Sequence, residues 1–279
     1  MLVEARTPSQ VREHYLIERE LAERLRGAPK AARPALYREV YDELYCRVPH
    51  HPQLLALRDP RTAARRARSV EHQLAFLRRF LPPGKRFLEI GAGDCALALR
   101  AAPLAARVYA VDVSRQITRG VKPPANFELR LTEGSRMPLE DGAADVAFSN
   151  QLMEHLHPED AAEQLREIRR SLAPGGLYVC ITPNRLGGPS DVSGHFDEVA
   201  TGLHLREYSA RELHALMLES GFSAVRFYAG ARGWYLRVPF AALAALEALL
   251  EAAPHRLRRR IARLAPARAL LGLRAVALA

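Results

Sequence analysis

Residues 10–27, QVREHYLIERELAERLRG, carry Tyr15, Ile17, Leu21 and Leu25 at helical spacing, with Gly27 after the last of them, so the segment predicts an amphipathic helix. Residues 34–47 predict a second, with Leu36, Val40 and Leu44 on one face. The prolines of VPHHPQL break it, and a third helix is expected over 69–81, from near Ser69 to Pro82-Pro83. From Gly84 the period changes. Arg86–Ile90, Val108–Asp112, Phe127–Leu131, Asp145–Ser149, Leu177–Thr182, Ala224–Tyr228 and Leu273–Leu278 read as strands, and Ala96–Ala102, Pro158–Leu172 and Ala210–Ser220 as helices. Alternation of this kind predicts an α/β fold with an open, doubly wound, Rossmann-like sheet of seven strands. The expected organisation is an N-terminal helical extension or cap (1–83), a core (84–236), and a basic helical insertion followed by the core's last strand (237–279).

Two stretches interrupt the alternation. Residues 182–209, TPNRLGGPSDVSGHFDEVATGLHLREYS, form a long Gly-rich connection after a strand, where ligands of open α/β sheets sit. Residues 237–266 hold two helical patterns; the second, PHRLRRRIARLAP, sets Leu257, Ile261 and Leu264 against five arginines.

Composition narrows the class. An apolar content of 48% with 26% charged residues suits a globular chain, and no window approaches the roughly 18 apolar residues of a spanning helix. The N-terminus lacks an apolar h-region, so no signal peptide is expected. Cys46, Cys95 and Cys180 stand far apart, which fits a reduced, cytoplasmic setting, and with no H-E-x-x-H or paired C-x-x-C no metal is expected. The net charge of +10 is unevenly placed: +6 in 1–83, −2 in 84–236 and +6 in 237–279. Only three of the 41 basic residues are lysine, and the motif-bearing segment is slightly acidic, so a nucleic-acid partner is disfavoured.

The chemistry begins in RFLEIGAGDCALALRAA, residues 86–102. Gly91-Ala92-Gly93-Asp94-Cys95-Ala96 satisfies G-x-G-x-x-G/A, and Asp112 ends the next strand, where a carboxylate accepts from ribose hydroxyls. That pairing indicates an adenosine-containing cofactor without saying which. Glu89 discriminates. Its carboxylate would repel a pyrophosphate across the turn by several kcal/mol in a partly desolvated site, yet would attract a ligand with an ammonium and a sulfonium. S-adenosylmethionine is such a ligand, and its own carboxylate suits the helix start near Cys95 and Ala96. A buried structural glutamate bonded to backbone N–H groups is the competing reading.

The chain resembles the class I S-adenosylmethionine-dependent methyltransferases, and within them the small-molecule, quinone-biosynthesis-like branch. FLEIGAGDCALA resembles their first motif, with Cys95 where a third glycine is common, and VYAVDVS their ribose-binding motif. LTEGSRMPLEDGAADVAFSNQLMEHL, LREIRRSLAPGGLYVCITPN and LREYSARELHALMLESGFSAVRF resemble later segments in the family's order, over about residues 70–230. The resemblance implies S-adenosyl-L-methionine as cofactor and an antiparallel last strand. It assigns Glu89, Gly91, Ala92 and Gly93 to the methionine moiety, Asp112 to the ribose, and Val113 to the adenine face. Glu133, Gly134 and Ser135 fall at the adenine edge, with Glu133 in place of the usual Asp, and Asn150 beside the reactive methyl.

Methyl transfer from a sulfonium depends mainly on alignment, because the leaving thioether is neutral. A base is required only when the acceptor must lose a proton. His155, His195 and His204 are the candidates, with Tyr208; a hydrogen-bonded structural histidine is the alternative for each. Asn150 is followed by Gln151-Leu152, not by the Pro-Pro-aromatic sequence used on amide or adenine nitrogen, and neither Cys95 nor Cys180 follows a proline. The expectation is therefore methyl transfer to a small organic acceptor, with oxygen or carbon favoured over nitrogen. The alternatives are an RNA- or lipid/quinone-directed methyltransferase, a non-catalytic S-adenosylmethionine-binding protein, and a nicotinamide-dependent oxidoreductase. The arginine-rich 255–264 helix suits a solvated face, RNA, or a peripheral contact with an anionic membrane.

Overall fold

The computed structural model describes residues 6–58, 60–231 and 233–279. Helix α1 (Pro8–Gly27) starts where Thr7 and Gln10 form a reciprocal capping box ahead of Pro8, and Leu21, Ala22 and Leu25 make its fully buried face. Helix α2 is Arg33–Arg47. A short α3 (Pro52–Arg58), absent from the sequence reading, starts at the proline taken there as a breaker. Helix α4 runs Pro60–Leu77 rather than from Ser69: its first half is alanine and arginine, which favour helix without marking a face.

The sheet follows: β1 (Arg86–Ile90), α5 (Ala96–Ala101), β2 (Arg107–Asp112), β3 (Phe127–Leu131), β4 (Ala144–Asn150), α6 (Pro158–Ser171), β5 (Leu172–Thr182), α7 (Ala210–Glu219), β6 (Ala224–Ala231), β7 (Trp234–Val238), α8 (Phe240–Ala252), α9 (His255–Arg263), α10 (Ala265–Leu271) and β8 (Leu273–Leu278). Strand order is β3-β2-β1-β4-β5-β8-β6-β7. β3, β2, β1, β4 and β5 are parallel; β8 lies antiparallel between β5 and β6, as the family resemblance implied.

The seven expected strands gain an eighth. β7 folds back on β6 as an antiparallel edge, so the boundary placed after residue 236 falls inside a strand. The hairpin closes at Gly230 (φ +144°), where a Cβ would sit 2.0 Å from the Trp234 carbonyl oxygen. The signal was present in WYLRV: Tyr235 is buried while Trp234 and Leu236 are exposed, the alternation of a strand with one wet face. The insertion before β8 holds three helices rather than two. Pro174-Gly175-Gly176 forms the irregular start of β5, where the register with β4 shifts.

The N-terminal helices are built into the sheet's own cores. Leu21, Leu25, Tyr37, Val40 and Leu44 pack in one cluster with Leu88, Ile90, Ala147, Leu165 and Tyr178. On the other face Val70, Leu74, Phe76 and Leu77 of α4 join Phe87, Leu97, Val108 and Phe148. No helix among the described residues is long and apolar enough to cross a membrane.

A buried ion pair locks α2 to α6. Arg33 donates from Nε and Nη2 to the two Asp160 oxygens, at 2.7 and 2.9 Å, and the Tyr37 hydroxyl donates to Oδ2 at 2.8 Å. Both charged groups are about as buried as the core, so removing Arg33 leaves the Asp160 carboxylate without its cation and with only the Tyr37 hydroxyl as side-chain donor. Arg33→Ala should lower unfolding stability by about 3 kcal/mol in urea, as a shift of midpoint at constant m-value. A loss under about 0.5 kcal/mol would mean that α2 is held by its apolar face alone.

Candidate functional site

At the C-terminal ends of β1, β2 and β4 a cavity of about 550 Å³ runs from the glycine turn to a roof made by α1, α2 and the 183–208 connection. Its floor is the turn itself. Gly91 (φ +67°) and Gly93 (φ +55°) use the left-handed conformation open to glycine, and a Cβ on Gly91 would press on Leu152 at 3.0 Å. Cys95 adopts the same conformation (φ +60°), which explains why glycine is common there in the family it resembles. Burial pushes its thiol, and that of Cys180, up to about 12, so both are inert as nucleophiles.

Two buried carboxylates hold the turn. Glu89 Oε2 accepts from the Ala98 N–H at 2.8 Å, in the first turn of α5. Asp112 accepts from the Gly93 N–H at 2.7 Å and the Ser114 N–H at 2.9 Å. Desolvation, increased by the negative charge of Asp112, raises the Glu89 pKa to about 8. Burial raises Asp112 as well, against its backbone bonds. Arg66, paired with Asp94, is the cation whose field opposes the rise at Glu89. The end of the turn is thus an electronegative pocket with little compensating positive charge.

Of the residues expected to hold the cofactor, Gly91, Gly93, Asp112, Val113 and Gly134 line the cavity. Glu89 and Ala92 stand behind its wall, and the structural reading of the Glu89 carboxylate describes the bond it makes to α5. Glu133 is paired with Arg38 on the outside, and Ser135 is buried but off the lining. Asn150 is also off the lining; its neighbours Gln151 and Leu152 are on it, with Gln151 in a left-handed conformation (φ +55°).

The helix residues of the roof were not legible as part of a site. His14, Glu18, Tyr37, Tyr41, Tyr45, His51 and Gln164 all line the cavity, and the Tyr41 hydroxyl and Gln164 Oε1 are buried without a partner. His14 Nε2 lies 2.8 Å from Glu18 Oε1, an i,i+4 pair whose spacing was the available signal. The connection is latched to α1: Arg26 donates to the carbonyls of Thr201 and Gly202 at 3.0 Å, and the Leu203 N–H reaches Glu18.

All three candidate histidines reach the cavity. His155 donates from Nδ1 to the Leu203 carbonyl at 3.0 Å, and its ring meets that of His204 edge-on, 4.8 Å between centroids. Burial, helped by His204, pulls His155 down to about 3, so it is neutral and a weak base. His204 pairs with Glu207 at 2.7 Å. His195 is exposed at the rim, while Tyr208 is buried and outside the lining.

Comparison with known proteins bears on the fold. Residues 88–180 fit a family model described as a methyltransferase domain. A Mycolicibacterium smegmatis protein described as "Probable S-adenosylmethionine-dependent methyltransferase" is 32% identical over 140 residues, 50% of this chain and 52% of its own length. A dimethylglycine N-methyltransferase of Parasynechococcus marenigrum is 29% identical over 54% of this chain and 55% of its length. The chain therefore spans about half the length of the curated relatives it matches. Among solved structures, a chain of the "Complex between the Haloferax volcanii Trm112 methyltransferase activator and the putative methyltransferase" shares the fold with a TM-score of 0.57 and 19% identity, over 82% of this chain and 97% of that one. Fold and matched segment agree: residues 88–180 fit a methyltransferase domain, and the chain is similar over about half its length to proteins described as probable S-adenosylmethionine-dependent methyltransferases.

Proposed function

We propose that this protein transfers the methyl group of S-adenosylmethionine to a small organic acceptor, at oxygen or carbon in preference to nitrogen. One observation carries the reading: a single cavity joins the Gly91–Gly93 turn and Asp112 to a pocket of histidines and tyrosines under the N-terminal helices. In this reading the donor lies along the turn, its ribose hydroxyls donating to Asp112 and its adenine against Val113 and Gly134. Its ammonium and sulfonium sit in the field of Glu89 and Asp112, which a pyrophosphate would meet as repulsion. The acceptor lies toward Tyr41, Gln164 and His155, whose polar atoms can fix its orientation for in-line attack on the methyl carbon. Loss of a hydroxyl or carbon-bound proton calls for polar groups at that end, and buried imidazoles and carboxylates supply them. The volume suits a small molecule rather than an RNA strand. Relatives named as a dimethylglycine N-methyltransferase and a ubiquinone biosynthesis O-methyltransferase support a small acceptor.

A second reading concerns where the acceptor is met. Leu257 and Leu264 remain exposed beside the arginines of α9, and exposed Trp234 and Leu236 lie on the β7 edge. Such a surface supports peripheral contact with an anionic membrane, at the cytoplasmic face if the acceptor is lipophilic.

Calorimetry should show S-adenosylmethionine binding and no heat with NAD. Asp112→Ala should weaken donor binding about 10- to 100-fold, the cost of losing charge-assisted bonds to the ribose. Incubated with labelled donor and cell extract, the protein should label the polar small-molecule or lipid fraction; label confined to RNA, or none in any fraction while the donor binds, would overturn the proposed activity. In liposome sedimentation, anionic vesicles should retain more protein than neutral ones, and equal retention would remove the membrane contact.

A further inference from the structure

At the roof of the cavity stands a triad of which the methyl-transfer reading uses only His155: His155 and His204 line the cavity and Glu154 is buried behind them. Glu154, His155 and His204 each offer a ligand atom within 4.8 Å of the other two. They come together from distant places: Glu154 and His155 from the 3₁₀ turn after β4, His204 from the far end of the 183–208 connection. Glu154 is fully buried, with Oε2 accepting from the Thr182 hydroxyl at 2.8 Å and Oε1 without any partner. A buried carboxylate oxygen left unpaired is costly, and here it faces no hydrogen-bond donor that satisfies it.

The two imidazoles are oriented the way ligands are. A carbonyl oxygen only accepts, so the 3.0 Å contact of His155 Nδ1 with Leu203 O fixes the proton on Nδ1 and leaves a lone pair on Nε2. His204 Nδ1 likewise donates to the Glu207 carboxylate at 2.7 Å, again freeing Nε2. Backbone carbonyl on one ring, carboxylate on the other and a hydroxyl on the glutamate make the outer shell that fixes tautomer and direction at metal-binding histidines. From this arrangement we infer that Glu154, His155 and His204 form a binding site for one divalent first-row transition metal ion at the acceptor end of the cavity.

The geometry asks for modest closure. Donors about 2.1 Å from one tetrahedral ion stand about 3.4 Å apart, so atoms now separated by up to 4.8 Å would each move about 0.7 Å or less. Two imidazoles with one carboxylate suit zinc, iron, cobalt or manganese, and three protein ligands leave positions open for another molecule. A neighbouring trio, His14, Glu18 and His51, meets the same distance limit. It is the weaker candidate, because both His14 nitrogens are engaged, one by Glu18 and the other by the Arg6 guanidinium, whose charge opposes a cation. Sequence spacing hid the triad: Glu154-His155 is adjacent, and its third member lies beyond α6 and β5.

Resting on the proposed function, the ion's task would be to bind an acceptor oxygen directly. A metal-bound hydroxyl loses its proton near neutral pH, which leaves the oxygen lone pair to attack the methyl carbon as the sulfur–carbon bond breaks to a neutral thioether. The released proton goes to solvent or buffer, and no oxidant or reductant takes part. This account selects acceptors with a hydroxyl able to ligate, such as a phenol, catechol or enol.

Cobalt(II) titration of chelator-stripped protein, followed by visible absorption and by metal content after dialysis, tests the site without needing the acceptor. The parent should take one cobalt per chain with visible bands that zinc displaces. Glu154→Gln and His204→Gln should each weaken cobalt binding by more than about 100-fold, and Glu207→Gln by about 10-fold as an outer partner. His51→Gln should retain it. S-adenosylmethionine calorimetry on the same samples checks the fold. Cobalt that fails to bind donor-competent protein, or that binds the Glu154 and His204 variants as tightly as the parent, overturns the inference. If cobalt binds as described while no fraction of extract is ever labelled, the metal site stands and the transferase reading falls.

Discussion

Two carboxylates buried at the ends of adjacent parallel strands shape the donor half of this molecule. Glu89 holds the start of α5 and Asp112 holds the glycine turn, each by accepting from backbone N–H groups that would otherwise be orphaned. Neither has a cation in direct contact among the described residues, so the turn is built around two acidic groups withdrawn from water, with Glu89 protonated near neutral pH while the site is empty. That arrangement costs stability while the site is empty. In the proposed reading it is repaid by a ligand that brings positive charge, and a dinucleotide, which brings phosphate, would do the reverse. A common α/β turn becomes selective through its flanking residues while its glycines stay the same.

The acceptor half depends on the N-terminal helices, whose attachment is as firm as that of the core. Apolar faces of α1 and α2 share the sheet's cluster, the Arg33–Asp160 pair locks α2 to α6, and Arg26 with Glu18 fastens the connection to α1. The cap is thereby fixed over the C-terminal ends of the strands, where an open sheet leaves its crevice. Its inner surface is polar and aromatic, and its buried atoms without partners lie where an acceptor would make contact.

The strands of the core were legible because period-two runs and parallel burial leave a strong local mark. β7 escaped attention because its strand is short, half-wet and follows a glycine-rich hairpin; α3 and the first half of α4 escaped because alanine and arginine form helix without declaring a face. At the site, Gly91, Gly93 and Asp112 could be placed from the sequence, since turn geometry demands those residue types locally. Asn150 stands one position before Gln151, which with Leu152 lines the cavity, and a shift of one residue at a strand end turns a side chain to the other face. Of the roof, the capping place of the N-terminal helices and the histidines His155, His195 and His204 could be read, but not how its side chains meet. Tyr41, Gln164, His51 and His204 converge only through the packing of α1, α2, α6 and the connection, and no spacing along the chain encodes that meeting.

The electrostatic account of the donor turn makes a demand on protons. With its pKa raised to about 8 in the empty protein, Glu89 carries a proton at pH 7; a cationic donor favours the ionised form and lowers that value, so binding expels the proton. Calorimetry of S-adenosylmethionine binding at pH 7, in two buffers of different ionisation enthalpy, counts it, and comparison with Glu89→Gln cancels any titration of the donor itself. The parent should release close to one more proton than the variant, and its advantage in donor affinity should grow as the pH rises from 7 through 8. Equal proton counts and equal affinities at every pH would contradict the account.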